Sequence, residues 1–499
     1  MKNRFKLLSA SAPSEVHTGG ASTIHLTDDK IERAEIDKST RIPVLIYYSS
    51  AIFWLLFGTL MAIIASIKLH TPSFLGDYSF LTFGLVRSAH LNAVAYGWGA
   101  TAGIGTGIWL FSRLCRAKLV NPILPIIAAV FWNIGIAVGI YGILSGDSRS
   151  IEWLEAPAYS TPLIFLSFAL ISIWGVLMLF KRKCAHLYVS IWYLFAGFFW
   201  FPWLYGTAQV MLIMEPVQGT VQAAVNWWYA HNALGLFFTP IGLASAYYFI
   251  PKIIGRPVHS YYLSIIGFWT LALFYSWNGM HHLIGGPIPV WMVTASIVAS
   301  WMMIIPVIST AINHHMTMKG YFELLKSSPA LRFVVFGAMM YTASSLQGIT
   351  MAFRDLNKIT HFTQYTVGHA HLGLYMFYTM MMFGSMYYIV PRLVNWEWPS
   401  STMIKVHFWC TALGSGLMVG SLTVGGLIQG LALYDAKIPF MAIVSLMQPF
   451  LIFRSISGIM IAIGHIVFGV LFIMMILKVG SKQSGPTLLN EVENGGEKL

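Results

Sequence analysis

The chain alternates between long apolar runs and short polar joints, and the runs set its architecture. Twelve stretches stay apolar over the width of a bilayer: 43–69, 85–111, 120–144, 160–180, 187–214, 224–250, 258–284, 287–313, 330–352, 361–390, 402–431 and 456–477. Each reaches the roughly 20 residues that a hydrocarbon core of about 30 Å demands. A backbone in hydrocarbon must satisfy its own hydrogen bonds, so these runs predict helices. The expected fold is all-α, a polytopic membrane protein of about 12 transmembrane helices. With the N-terminus placed inside, 23 of the 30 Lys and Arg residues fall on the inner side. Every inner joint is then basic, as the positive-inside rule asks, and both termini are expected to be cytoplasmic. Residues 1–42 and 480–499 are polar and read as cytoplasmic tails around a twelve-helix domain at 43–479.

Composition agrees. The chain of 499 residues is 57% hydrophobic and 10% charged, against about 25% charged in soluble domains. The net charge of +12 reads as topology and attraction to anionic lipid headgroups, so no nucleic-acid partner is expected. No apolar core of signal-peptide type precedes the first span. Cys115, Cys184 and Cys410 are scattered and imply no disulfide framework. No Cys-x-x-Cys-His occurs, so no haem is expected to be covalently attached. No cysteine-rich segment suits a two-copper centre.

Histidines change the picture most. His281 and His282 are adjacent in one apolar run, and His369 and His371 are spaced i, i+2 in another. His231 and His90 lie in two more. An imidazole is costly in hydrocarbon unless something takes its lone pair, which a metal does well. In the predicted topology all six lie towards the outer side. Residues i and i+2 on a helix are about 200° apart, so His369 and His371 point to opposite flanks and one helix can serve two centres. His281 and His282 can reach one metal off a helix corner, with His231 as the third ligand. Six imidazoles suit haem iron and copper. A histidine of this kind can also hydrogen-bond to a neighbouring helix, and that is the reading for mid-span His465. His314 and His315 fall at an inner helix end, where solvent or lipid contact is expected. His17 and His25 lie in the tail, and His70, His186, His259, His361 and His407 near span ends.

From about 85 to 480 the chain resembles the catalytic subunit I of haem-copper oxidases, most closely the cbb3-type cytochrome c oxidase. WWYAHNALGLFFTPIG, YYFIPKIIGRPVHSYYLSIIGFW, FYSWNGMHHL, YTVGHAHLG and YYIVPRL match its pattern in order. The resemblance implies a terminal respiratory oxidase of a bacterial cytoplasmic membrane, reducing O2 to water with electrons from cytochrome c. It implies that His90 and His371 are the axial ligands of a low-spin haem b, and His369 the proximal ligand of a high-spin b-type haem. His231, His281 and His282 become ligands of one copper. Tyr275 becomes the redox-active tyrosine, covalently joined to His231. Arg454 resembles an arginine close to the haem propionates. Membrane-anchored c-type cytochrome subunits are implied as partners. A calcium site near outer-loop acids brings in Glu152 and Glu155. Chemistry supports the tyrosine: cleaving O–O takes four electrons, and a phenol supplies the last electron with a proton. On one continuous helix Tyr275 and His282, seven apart, share a face.

The chain departs from the family at two places. Gln347, in SSLQGITM, stands where a glutamate is usual, close to the proximal side of the high-spin haem. Gly267, in GFW, stands where a histidine of the proton path is frequent. Ser260, Tyr261 and Ser264 remain as the expected hydroxyls of that path below Tyr275. Two rival functions stay open at the level of sequence. Nitric oxide reductases of the superfamily carry a glutamate four residues after the span-6 histidine, where this chain has Gly235, and they lack the tyrosine. A transporter using histidines for protons or metal cargo should show inverted repeats and midplane sites; no repeat is visible here.

Overall fold

A computed structural model describes residues 21–480 and 482, with side chains from residue 29 onward. The outermost parts of both expected tails lie outside the described residues. Twelve helical columns follow one another: α1 (Ala21–His70), α2 (83–114), α3 (Ile123–Leu144), α4 (Thr161–Phe180), α5 (189–214), α6 (Thr220–Ile254), α7 (Tyr261–Tyr275), α8 (Val290–Met318), α9 (Pro329–Met351), α10 (364–394), α11 (Ser401–Tyr434) and α12 (Phe440–Ile476). Two short helical pieces, Leu324–Ser327 and Arg354–Thr360, sit in the joints, and no strand occurs among the described residues. The twelve apolar runs thus become twelve columns of an all-α membrane protein.

Seven of the columns are long and apolar enough to cross a membrane on length and composition alone: α1, α3, α4, α6, α8, α11 and α12. Three of the other five fall short for plain physical reasons. Column α7 has 15 residues, about 22 Å at 1.5 Å per residue, less than the hydrocarbon thickness. Columns α2 and α10 carry three of the six histidines among small and polar residues, so their mean hydropathy is low. Such columns belong inside the bundle. Column α10 packs between α9 and α11, α11 lies along α12, and α12 and α2 both lean on α1.

Helix starts and stops follow local chemistry. Ser260, Ser328 and Ser400 each cap a helix by accepting from the N–H three residues on, and Thr363 accepts from Tyr365 N–H. These bonds satisfy amides that the first turn leaves free. Columns α6 and α10 end on Gly255 and Asn395 in left-handed conformation, as helix C-termini often do.

Two features depart from the sequence reading. The expected tail at 21–42 is helical from Ala21 and continues unbroken into the first span. Its acids dock on basic joints: Glu32 lies 2.6 Å from Arg116 and 3.2 Å from Lys183, and Glu35 lies 2.9 Å from Lys118. Asp37 accepts from the Trp109 indole at 2.9 Å. These pairs hold the extension against the C-terminal ends of α2 and α4, placing it on the same side as those joints. Secondly, three histidine-bearing columns loosen into π-helix just after their histidine: Ala93–Ala100 after His90, Leu234–Phe238 after His231 and Leu372–Thr379 after His371. Such widened turns cluster at functional sites.

Candidate functional site

The run that carries His281 and His282 is not one helix. Column α7 stops at Tyr275, a turn follows, and the histidines lie on a 3-10 segment, Met280–Leu283. Gly279 makes the break, with φ +119. A Cβ there would stand 2.6 Å from the Trp227 carbonyl, so only glycine allows this close approach to α6. The expectation of a shared helix face for Tyr275 and His282 is therefore corrected: the turn, and not helical phase, brings them together.

The result is a compact cluster. One ligand atom from each of His231, His281 and His282 lies within 4.8 Å of the others. Their ring centroids are 4.5–5.3 Å apart. His281 is fixed by Ser296 and Ser300, whose hydroxyls lie 3.0 and 3.1 Å from its Nδ1, which leaves Nε2 free. His282 stacks on Trp227 at 4.3 Å. His231 Nδ1 is buried with no partner among the described residues, an arrangement that is costly unless a ligand takes the atom. The Tyr275 ring lies over His231 at 4.7 Å, tilted by 32°. Opposite it is Gly235, where a Cβ would meet the tyrosine ring at 1.7 Å. Three convergent imidazoles with this spacing are a donor set for a copper-like ion.

His369, on α10, lies against α9, where a Cβ at Gly348 would stand 3.1 Å from its ring. Its Nδ1 lies 3.3 Å from Gln347 Oε1, so Nε2 points away free. His371 turns to the other flank of α10. There it shares a cavity with His90 and Arg454. The His371 Nδ1 donates to the Val367 carbonyl at 2.8 Å, and the His90 Nδ1 donates to the Gly58 carbonyl at 2.9 Å. Both therefore keep Nε2 for the cavity, the usual preparation of a metal-binding histidine. Arg454 lines the same cavity and has no hydrogen-bond acceptor or ion pair among the described residues. The residues fit a large planar group with two axial nitrogens and an anionic edge.

Outside the spans, Glu155 is buried, 3% exposed. It accepts from Asn92 at 3.1 Å and from Trp153 N–H at 3.2 Å. Arg87 lies 2.6 Å from Glu152 and 3.5 Å from Glu155. Burial pushes the Glu155 carboxyl up to about 7, with Glu152 adding to the rise, against the pull of Arg87 and the hydrogen bonds.

The three hydroxyls expected to form a path below Tyr275 are tied to backbone instead. Ser260 Oγ caps α7, Tyr261 donates to the Leu187 carbonyl at 3.0 Å, and Ser264 donates to the Tyr261 carbonyl at 2.6 Å. A different group stands nearby. Tyr193, Tyr247 and Tyr341 hydroxyls converge on Thr310 without reaching bonding distance. His314 lies against Tyr247 at 4.7 Å. It is buried with both ring nitrogens unpartnered, contrary to the solvent or lipid contact expected of it. His407 is also buried, its Nδ1 2.7 Å from the Tyr387 hydroxyl. His465 is hydrogen-bonded on both nitrogens, as expected. Helical spacing would have flagged one pair of this group, since Thr310 and His314 share a face of α8.

The family model described as cytochrome c and quinol oxidase polypeptide I matches residues 42–460. A cytochrome c oxidase subunit 1 homolog of Azorhizobium caulinodans is 31% identical over 443 residues, covering 85% of this chain and 80% of that protein. The cbb3-type cytochrome c oxidase subunit CcoN1 of Stutzerimonas stutzeri is 32% identical, covering 76% and 82% respectively. Among solved structures, a cryo-EM structure of a heme-copper terminal oxidase dimer matches with a TM-score of 0.66 at 14% identity, over 92% of this chain and 86% of that one. This likeness shows the same fold. The chain therefore belongs to the cytochrome c and quinol oxidase polypeptide I family, as the subunit I of a haem-copper terminal oxidase.

Proposed function

We propose that this subunit reduces O2 to water at a high-spin haem held by His369 and a copper held by His231, His281 and His282. His90 and His371 would hold a low-spin haem b, which would supply its electrons. The observation that carries the reading is the three-histidine cluster with Tyr275 laid on His231. When bound, the haems and copper would supply one-electron redox chemistry and a site for O2. The rest is the work of the chain. Ser296 and Ser300 orient His281, Trp227 holds the His282 ring flat, and the Gln347 amide oxygen keeps the proton of His369 on Nδ1. Arg454 offers its guanidinium to propionates in the low-spin pocket. Tyr275 Oη holds a proton and an electron next to the copper ligands, and the close approach of its ring to His231, 4.7 Å between centroids, supports a covalent tie between the two.

Protons enter from the inner side past His314, Tyr247, Thr310, Tyr193 and Tyr341. Orphaned polar atoms at these spacings suit bridging waters. A side chain at 267 would crowd this group, its Cβ 3.1 Å from Thr310 Oγ1 and 3.5 Å from the Tyr193 hydroxyl. The usual histidine there gives way to Gly267, with His314 opposite. The electron donors are membrane-anchored c-type cytochromes on the outer face. A calcium ion takes roughly 6–8 oxygens; at Glu155 this chain supplies two carboxylates already sharing Arg87, so most ligands would come from a partner subunit.

Gly235 disfavours the nitric oxide reductase reading, because no side chain fits there while Tyr275 is in place. The test is metal analysis of the purified complex with turnover on both gases. One copper and two b-type haems per copy of this chain, beside the c-type haems of the donor subunits and with O2 preferred, support the proposal; non-haem iron with no copper contradicts it.

A further inference from the structure

Tyr375 lies four residues beyond His371, and its hydroxyl is 2.7 Å from Nε2 of His465 on α12. The other ring nitrogen, Nδ1, is 2.7 Å from Thr59 Oγ1 on α1. The direction of these bonds follows from what each atom can do. Thr59 Oγ1 also lies 2.6 Å from the Leu55 carbonyl, which can only accept. The threonine hydrogen goes to that carbonyl, so Oγ1 accepts from His465 Nδ1–H. Nε2 then carries the lone pair, and Tyr375 must donate to it. All three side chains line the cavity that also holds His90, His371 and Arg454. His465 itself is 3% exposed.

A buried tyrosine loses an electron easily only if its proton has somewhere to go. Here the acceptor is already hydrogen-bonded to it, and the imidazolium that results keeps its Nδ1–H on Thr59. Tyr275 differs, since its hydroxyl makes no hydrogen bond to a described residue. Neither Thr59, Tyr375 nor His465 is used in the reading above.

We propose that Tyr375 and His465 form a second oxidisable site, in the wall of the low-spin pocket, that takes up an oxidising equivalent from the oxygen-reducing centre when electrons run short. This rests on the oxidase reading. The step balances. The phenolic O–H bond breaks, its proton forms the N–H bond at His465 Nε2, and its electron goes to the oxidised metal centre. A neutral tyrosyl radical and an imidazolium remain. The next electron from the donor, with return of that proton, restores both.

The test treats the oxidised, purified complex with hydrogen peroxide as the two-electron oxidant, freezes it within milliseconds and records the electron paramagnetic resonance spectrum. The wild type should show a tyrosyl component whose hydrogen-bond coupling exchanges in D2O. Tyr375→Phe should lose that component and His465→Gln should lose or reshape it, while Tyr275→Phe should retain it. An unchanged component in Tyr375→Phe, with both haem bands intact, overturns the inference and leaves the oxidase reading standing. Should the variants fail to fold, the wild type decides: a tyrosyl signal without exchangeable coupling, or no tyrosyl signal, overturns it. Absence of haem bands from the wild type overturns the oxidase reading and this inference together.

Discussion

The two flanks of α10 are built differently. On one flank, His371 and its partner His90 are each held by a main-chain carbonyl, Val367 and Gly58. On the other, His369 and His281 are held by side chains: the Gln347 amide and the hydroxyls of Ser296 and Ser300. A carbonyl inside a helix is fixed by the fold and cannot be exchanged by substitution. A side-chain acceptor can. The His90–His371 pocket is thus anchored by backbone, and the pocket assigned above to oxygen chemistry is anchored by groups that mutation can tune.

Tyr275 gives the largest expected effect. Tyr275→Phe should cut O2 reduction by orders of magnitude while leaving both haem spectra in place, since it removes the proton and electron source and no metal ligand. Peptide mapping of the wild type should find Tyr275 joined to His231; separate peptides and unchanged turnover would make it a packing residue. Gly235→Ala should come next. Its Cβ would overlap the Tyr275 ring, so the tyrosine must leave His231 and O2 turnover should fall nearly as far, with some loss of stability. Overpacking of this kind costs about 1–3 kcal/mol or more, to be read from thermal inactivation of the solubilised complex.

His282→Ala should lose copper and largely keep both haems, checked by metal analysis beside optical spectra. Gln347→Glu should produce a smaller change confined to one flank. A carboxylate in place of the amide would accept a stronger hydrogen bond from His369 and make it a more electron-rich ligand. The high-spin haem should become harder to reduce and the low-spin haem should stay put, measured by redox titration. Equal shifts in both haems would mean that the flanks are not independently anchored.

Much of this was legible from the sequence because membrane helices need long apolar runs, and imidazoles in such runs need a reason. The twelve columns and the i, i+2 placement of His369 and His371 on opposite flanks follow from those two facts. The turn at Gly279 was less visible, although Asn278-Gly279 inside an apolar run is a turn signal that the helical period overrode. The π-helical turns after His90, His231 and His371 were not legible. They depend on packing against neighbouring columns, which local propensity does not record. The second polar group was hidden for a related reason. Ser260, Tyr261 and Ser264 are close to Tyr275 in sequence, but hydroxyls at a helix start bond to the backbone first. Tyr193, Thr310, His314 and Tyr341 come from three other columns and meet only in the fold.

The central claim is that one helix serves two haems through His369 and His371, and the most direct measurement is the carbon monoxide difference spectrum of His369→Ala beside that of His371→Ala. The account predicts no carbon monoxide binding in His369→Ala with the low-spin haem bands retained, and retained carbon monoxide binding in His371→Ala with the low-spin bands lost. A full carbon monoxide difference spectrum in His369→Ala would contradict it.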